Sequence, residues 1–161
     1  MIALDEELGG PATIDAVSWQ WASGGTFAAF GDLEIVLGHY DQDALGAVFD
    51  DNYLPGSDVM VYSEPYTELK VGADDWVTLD LETAFDYDGT DNLVMEVRWS
   101  SGSGSIYTYK WETGQDRCLR GDGPGSAHGT LLTQMCEFRI ETSLALEQST
   151  FGSIKAYLGS M

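Results

Sequence analysis

Leu93-Val94-Met95-Glu96-Val97-Arg98-Trp99 decides the fold class. Leu93, Met95, Val97 and Trp99 fall on one side of an extended chain, and Glu96 and Arg98 fall on the other. A period of two is the mark of a strand with one face in a core and one in water. The same pattern recurs outward in both directions. Val77, Leu79 and Leu81 oppose Trp76, Thr78 and Asp80; Leu33, Ile35 and Leu37 oppose Asp32 and Glu34; Cys136, Phe138 and Ile140 oppose Glu137, Arg139 and Glu141. Further strands are predicted at Thr13 to Trp21, at Val59 to Leu69 with a break at Pro65, and at Ile106 to Trp111. Helical periodicity is nearly absent, and only Asp43 to Phe49 has the pattern of a short helical turn.

Turn clusters punctuate these runs at Ser23-Gly24-Gly25, Pro55-Gly56-Ser57, Asp86-Tyr87-Asp88-Gly89, Ser100 to Ser105 and Gly121 to Gly125. Strand and turn alternating in this way predict an all-β protein, a two-sheet antiparallel β-sandwich of jelly-roll-like form. The strand pattern runs through residue 142 as one domain. Beyond it, residues 143–161 read as a separate tail whose apolar residues Phe151, Ile154, Tyr157 and Leu158 suit an assembly or docking strand.

The chain has 161 residues, enough for one core. Its hydrophobic content of 43% is too high for a disordered chain, although 27 acidic residues face 7 basic ones for a net charge of −20. That field repels phosphate backbones, so nucleic acid and anionic membranes are excluded as partners. Cations are attracted, Ca²⁺ above all. No apolar run reaches the roughly 18 residues of a membrane span, so no membrane insertion is expected. Met1-Ile2-Ala3-Leu4-Asp5 lacks the basic and apolar regions of a leader, as in a chain that stays inside or one that has been trimmed.

Two acidic groups are candidate calcium ligands. Asp41, Asp43, Asp50 and Asp51, with Asn52, lie in one long loop, where like charges are costly without a cation or water between them. Asp86, Asp88 and Asp91 surround Gly89, an arrangement that equally suits a β-turn closed by Asp and Asn side chains on their own backbone. Cys118 and Cys136 bracket a Gly-rich region; as a disulfide they would add about 3 kcal/mol, and as thiols they would be half-buried strand residues. Tyr107, Tyr109 and Trp111 share a face, a row suited either to stacking on sugar rings or to core packing. His39 and His128 stand in no nucleophile or zinc motif, and His39 reads as a turn or core partner at a strand end. Arg120-Gly121-Asp122 reads as the tip of a Gly-rich hairpin.

Taken together, Ile35-Val36-Leu37-Gly38-His39, Trp76-Val77-Thr78-Leu79-Asp80-Leu81 and Phe85-Asp86-Tyr87-Asp88-Gly89-Thr90-Asp91-Asn92-Leu93-Val94-Met95-Glu96-Val97 resemble a recurring secreted domain. That domain is found in large cell-surface and exported proteins of Bacteroidetes and uncultured bacteria. The resemblance spans about Ile14 to Ile140, departing at Tyr40, where the family has Thr, and at Ala84, where it has Pro. Thr150-Phe151-Gly152-Ser153-Ile154-Lys155-Ala156 is similar to endings of exported proteins. The resemblance implies a β-sandwich module, without catalytic function, located outside the cell or on its surface. The expected function is therefore non-enzymatic: a structural subunit that assembles with copies of itself through edge strands or termini, stabilised by calcium. The alternative is a carbohydrate-binding module.

Overall fold

A computed structural model describes residues 1–142. The tail residues Phe151, Ile154, Tyr157 and Leu158 lie outside them. The described residues form an all-β, antiparallel, sandwich-like fold. In chain order they comprise β1 (Ile2–Ala3), α1 (Asp5–Leu8), β2 (Ala12–Tyr40), β3 (Val59–Lys70), β4 (Trp76–Tyr87), β5 (Asn92–Arg98), β6 (Ser101–Thr108), β7 (Lys110–Glu112), β8 (Cys118–Arg120), β9 (Thr130–Leu132), β10 (Gln134–Cys136) and β11 (Phe138–Thr142). No helix among them is long and apolar enough to cross a membrane.

The organising element is β2, 29 residues long. Its first part pairs with β4 on one side and β11 on the other, so that Trp19 stands opposite both Val77 and Phe138. Its last part pairs with β3 and β5, placing Ile35 opposite Tyr62 and Val97. Between them, β6 pairs with residues from Trp21 to Gly31. β2 thus serves both layers. Ile14, Val17 and Trp19 from the first part meet Leu33, Ile35 and Leu37 from the last in one core, which Val61, Leu79, Phe85, Tyr87, Leu93 and Met95 complete. A smaller cluster of Ile2, Leu45 and Val94 covers the opposite face of β5. Both faces of β5 are therefore apolar in its first half, and only Glu96 and Arg98 show the expected alternation.

Four local expectations are corrected. Ser23-Gly24-Gly25 is not a turn but lies within β2, where Gly24 adopts φ 90° and the pairing with β6 shifts register. Glycine inside a strand marks a bulge, which bends the strand without ending it. Ser100 to Ser105 is mostly strand, because its small residues lie flat against Ala28, Ala29, Phe30 and Gly31 of β2. Pro65 does not interrupt β3. Glu64 pairs with Leu33 and Tyr66 with Gly31, so the proline falls opposite Asp32, which has φ 49°. Its missing N–H costs no ladder bond there. Finally, residues 43–49 are not helical; the helical turns are α1 and a single 3-10 turn at Asp50–Asn52.

Gly24 and Gly56 allow a test of the bend in β2. Both have positive φ, but a Cβ at Gly24 would lie 2.3 Å from the Ser105 carbonyl oxygen and 2.6 Å from the Tyr107 ring, whereas Gly56 has nothing within 4 Å. Gly56→Ala should cost about 1–2 kcal/mol from backbone conformation alone, and Gly24→Ala on the order of 3 kcal/mol or more. Urea denaturation of both variants checks this; equal losses would contradict the close β2–β6 contact.

Candidate functional site

Five strands pair with β2, and the free edges they leave are not equivalent. On β3, the Ser63 N–H is taken by the Glu82 carboxylate of β4 at 2.9 Å. A hydrogen bond with the adjoining Glu82 carboxyl, and repulsion between the two, raise the pKa of Glu64. Charge of this kind discourages pairing with another chain. At β1, the Ile2 N–H is bonded to the Arg117 carbonyl at 3.0 Å. The first half of β6, Ser101 to Ser105, is all serine and glycine, and Ile106 and Tyr107 follow in its second half. β11 pairs only with β2 among the described residues, and its other edge opens onto a cleft.

That cleft has a volume of about 420 Å³ and is lined by Ala3, Glu7, Leu8, Trp111, Met135, Glu137, Phe138, Arg139 and Ile140. Its apolar members come from five elements, β1, α1, β7, β10 and β11. Leu8 ends α1, which stops at Gly9 with φ 80°. Met135 of β10 stands opposite Trp111 of β7, while Phe138 and Ile140 of β11 pack against the main core.

One buried cation holds these parts together. Arg117, only 3% exposed, donates from Nε and Nη2 to the Ile2 carbonyl at 3.3 and 3.0 Å. It also grips Glu7 with both terminal nitrogens, the Nη1–Oε1 contact being 2.9 Å and the second running from Nη2 to Oε2. Its guanidinium lies 5.3 Å from the centroid of the Trp111 ring. A bidentate fork with an aromatic cover is a geometry that only arginine supplies. The hydrogen bonds from Arg117 hold the Glu7 carboxyl below its ordinary value, outweighing partial burial. On the outer face of β11, Arg139 stacks 4.2 Å from the centroid of Trp76 and bonds Glu141 at 3.1 Å. Glu141 accepts a 2.6 Å hydrogen bond from the fully buried Ser18 hydroxyl, which lowers its pKa. The outward side chains of β11 are thereby fixed, while its backbone edge stays open.

The aromatic row is only partly assembled. Trp111, 41% exposed, lines the cleft, but Tyr107 lies over Gly24. No ring contact among the described residues joins Tyr107, Tyr109 and Trp111. The acidic groups are occupied locally. Asp41 accepts from Gln42 at 3.1 Å, Asp43 from Asn92 at 3.2 Å and Asp86 from Thr13 at 2.9 Å. Asp88 accepts the N–H groups of Thr90 and Asp91 at 2.8 and 3.0 Å, closing the turn at Gly89. Those bonds hold the Asp88 carboxyl low against the effect of burial, whereas burial and the neighbouring Asp88 raise Asp91. Asp50 and Asp51 form the 3-10 turn with Asn52, a buried clasp that bonds Gly46 N–H, Gly46 O and Val48 O. No three His, Cys, Asp or Glu side chains among the described residues group so as to hold a metal ion.

His39 accepts the Asp88 N–H through Nε2 at 3.2 Å and packs against Phe85 and Tyr87, in keeping with a turn partner. Cys118 and Cys136 are free, half-buried thiols on β8 and β10; burial, with Cys136 nearby, pushes the Cys118 thiol up. At the Arg120-Gly121-Asp122 tip, Asp122 N–H and Gly123 N–H both donate to the Ser126 hydroxyl at 3.1 Å. Comparison with protein-family models, curated proteins and solved structures finds no match.

Sequence reasoning missed Arg117 and Glu7, which are 110 residues apart. Neither stands in a motif, and no periodicity joins them. Glu7→Gln should destabilise the fold by about 1–3 kcal/mol at pH 7, below the full cost of breaking a buried pair because the Glu7 side chain is 35% exposed. The Glu7 pKa is depressed on folding, so its contribution is present above the ordinary value of 4.5 and fades as pH falls through the lower folded value. Urea midpoints of wild type and Glu7→Gln should therefore converge on acidification; a constant gap would contradict the pairing.

Proposed function

We propose that this chain is a non-enzymatic structural module, located outside the cell or on its surface, whose copies assemble through exposed strand edges. The observation that carries this reading is the open edge of β11 beside an apolar cleft, in a chain whose net charge is −20. A protein so acidic stays apart from its copies by repulsion, and association needs a locally neutral, apolar patch. The cleft offers such a patch in Leu8, Met135, Phe138 and Ile140, and the Glu7 carboxylate at its side is paired with Arg117. The extracellular setting rests on the resemblance in sequence. The non-enzymatic reading rests on the sequence, in which His39 and His128 stand in no nucleophile or zinc motif. Calcium enters the proposal as a counter-ion that screens the acidic surface.

A second reading, carbohydrate binding, is favoured by Trp111, which presents an exposed indole to the cleft beside Glu7, Glu137 and Arg139. Under that reading Trp111→Ala would abolish retention on polysaccharide gels, and equal retention of wild type and variant would remove it.

Sedimentation velocity tests the main reading. Raising ionic strength from about 10 to 150 mM shortens the screening length from about 30 to 8 Å, so larger species should grow with salt and with protein concentration. Calcium should act as other salts do at matched ionic strength. A single monomeric species under all conditions would overturn the proposal.

A further inference from the structure

We infer that Cys118 and Cys136 are a redox pair, two thiols that close to an intramolecular disulfide by exchange with a small-molecule disulfide such as oxidised glutathione. The pairing does not depend on how copies of the chain meet. It follows from the way the chain returns on itself after β7.

β7 and β10 form a two-stranded sheet in which Lys110 stands opposite Cys136, Trp111 opposite Met135 and Glu112 opposite Gln134. Just past the ladder, the Thr113 N–H donates to the Thr133 carbonyl at 2.9 Å. The chain leaves the sheet there and reverses at once. Gly114 adopts φ 73°, and the Arg117 N–H donates to the Gln115 carbonyl at 2.9 Å. The reversal lays Arg117 back over β7, its guanidinium 5.3 Å from the centroid of the Trp111 ring. Cys118 follows Arg117 directly, and Lys110, opposite Cys136, directly precedes Trp111. Consistent with that return, the Cys118 thiol lies within electrostatic reach of both Cys136 and Lys110. Both thiols are half-buried, and they are the two cysteines of the chain, so neither has another cysteine of its own chain to pair with.

The bond has a structural task. β8 and β9 form a second two-stranded sheet, and among the described residues no strand ladder joins it to β7 and β10 or to the main sheet. Two paired strands are marginally stable alone. Leu119 and Leu131 hold this sheet to the small cluster of Ile2, Leu45 and Val94. A disulfide from Cys118 would tie it also to β10 and to the main core, against which Cys136 packs.

The chemistry balances without a further reactant. One protein thiolate attacks the small-molecule disulfide, forming a mixed disulfide and expelling one small thiolate. The second protein thiolate attacks the protein sulfur of that mixed disulfide and expels the other. The two protein thiols lose two electrons, the small disulfide is reduced to two thiols, and the two protein protons pass to them.

Intact mass and peptide mapping of the full folded chain, reduced and then incubated with oxidised glutathione, test this. Wild type should lose the mass of two hydrogens, with Cys118 and Cys136 recovered in one linked pair of peptides. Its melting temperature should rise by about 5–10 °C over the reduced form. Cys136→Ser should stop at a single glutathione adduct on Cys118. The wild-type masses decide the question even if that variant fails to fold. A wild type that keeps both thiols, carries two glutathiones or links its cysteines only between copies would overturn the pairing. Closure with an unchanged or lower melting temperature would overturn the stapling of β8 and β9.

Discussion

The fold depends on one constraint: β2 belongs to both layers of the sandwich. Strands β3, β4, β5, β6 and β11 all hydrogen-bond to it. Half of the twelve buried residues in the main core, Ile14, Val17, Trp19, Leu33, Ile35 and Leu37, come from this strand. A strand that long cannot remain straight, because native sheets twist. The accumulated twist is released at register shifts near Ala16, Trp21, Gly24 and Ile35 along the path from one layer to the other. With both sides of β2 occupied, new partners are confined to the outer edges.

Those edges differ in how they resist further pairing. Glu82 closes the Ser63 amide, Arg117 closes β1, and the first five residues of β6 are serine and glycine, with Tyr107 exposed in its second half. Among the described residues, β11 combines an edge paired only to β2 with apolar side chains from α1, β10 and its own inner face. Arg117 makes that combination possible. By fastening Ile2, Glu7 and Trp111 at once, it holds α1 and the Trp111 ring at the two sides of the cleft without leaving a charge unpaired. Burying a cation is costly unless each donor is satisfied. Here a carbonyl and a carboxylate meet that need.

Much of the fold was legible in the sequence because alternation survives wherever one face of a strand meets the core. Val77 and Leu79 are buried while Thr78 and Asp80 are exposed, as the pattern predicts. The turn at Asp88-Gly89 was legible as well, since its chemistry lies within four consecutive residues. The continuity of β2 was not legible: Gly24-Gly25 has the composition of a turn, and only the distant β6 keeps it extended. Which aromatic is buried was hidden for a related reason. Trp19 is 9% exposed and Trp111 41%, yet each sits in a strand of similar pattern, and period two does not reveal which face is covered. The Arg117–Glu7 clamp gives no local signal at all.

The central claim is that β11 is an acceptor edge, and backbone hydrogen exchange of the full chain reports on it directly. The account predicts that amides of Phe138 to Thr142 facing the open edge exchange rapidly in dilute, low-salt solution. They should become protected at high concentration and moderate salt, while exchange in β3 and β4 stays unchanged. Equal protection of β11 under both conditions, or protection gained on β3 or β4 instead, would contradict it.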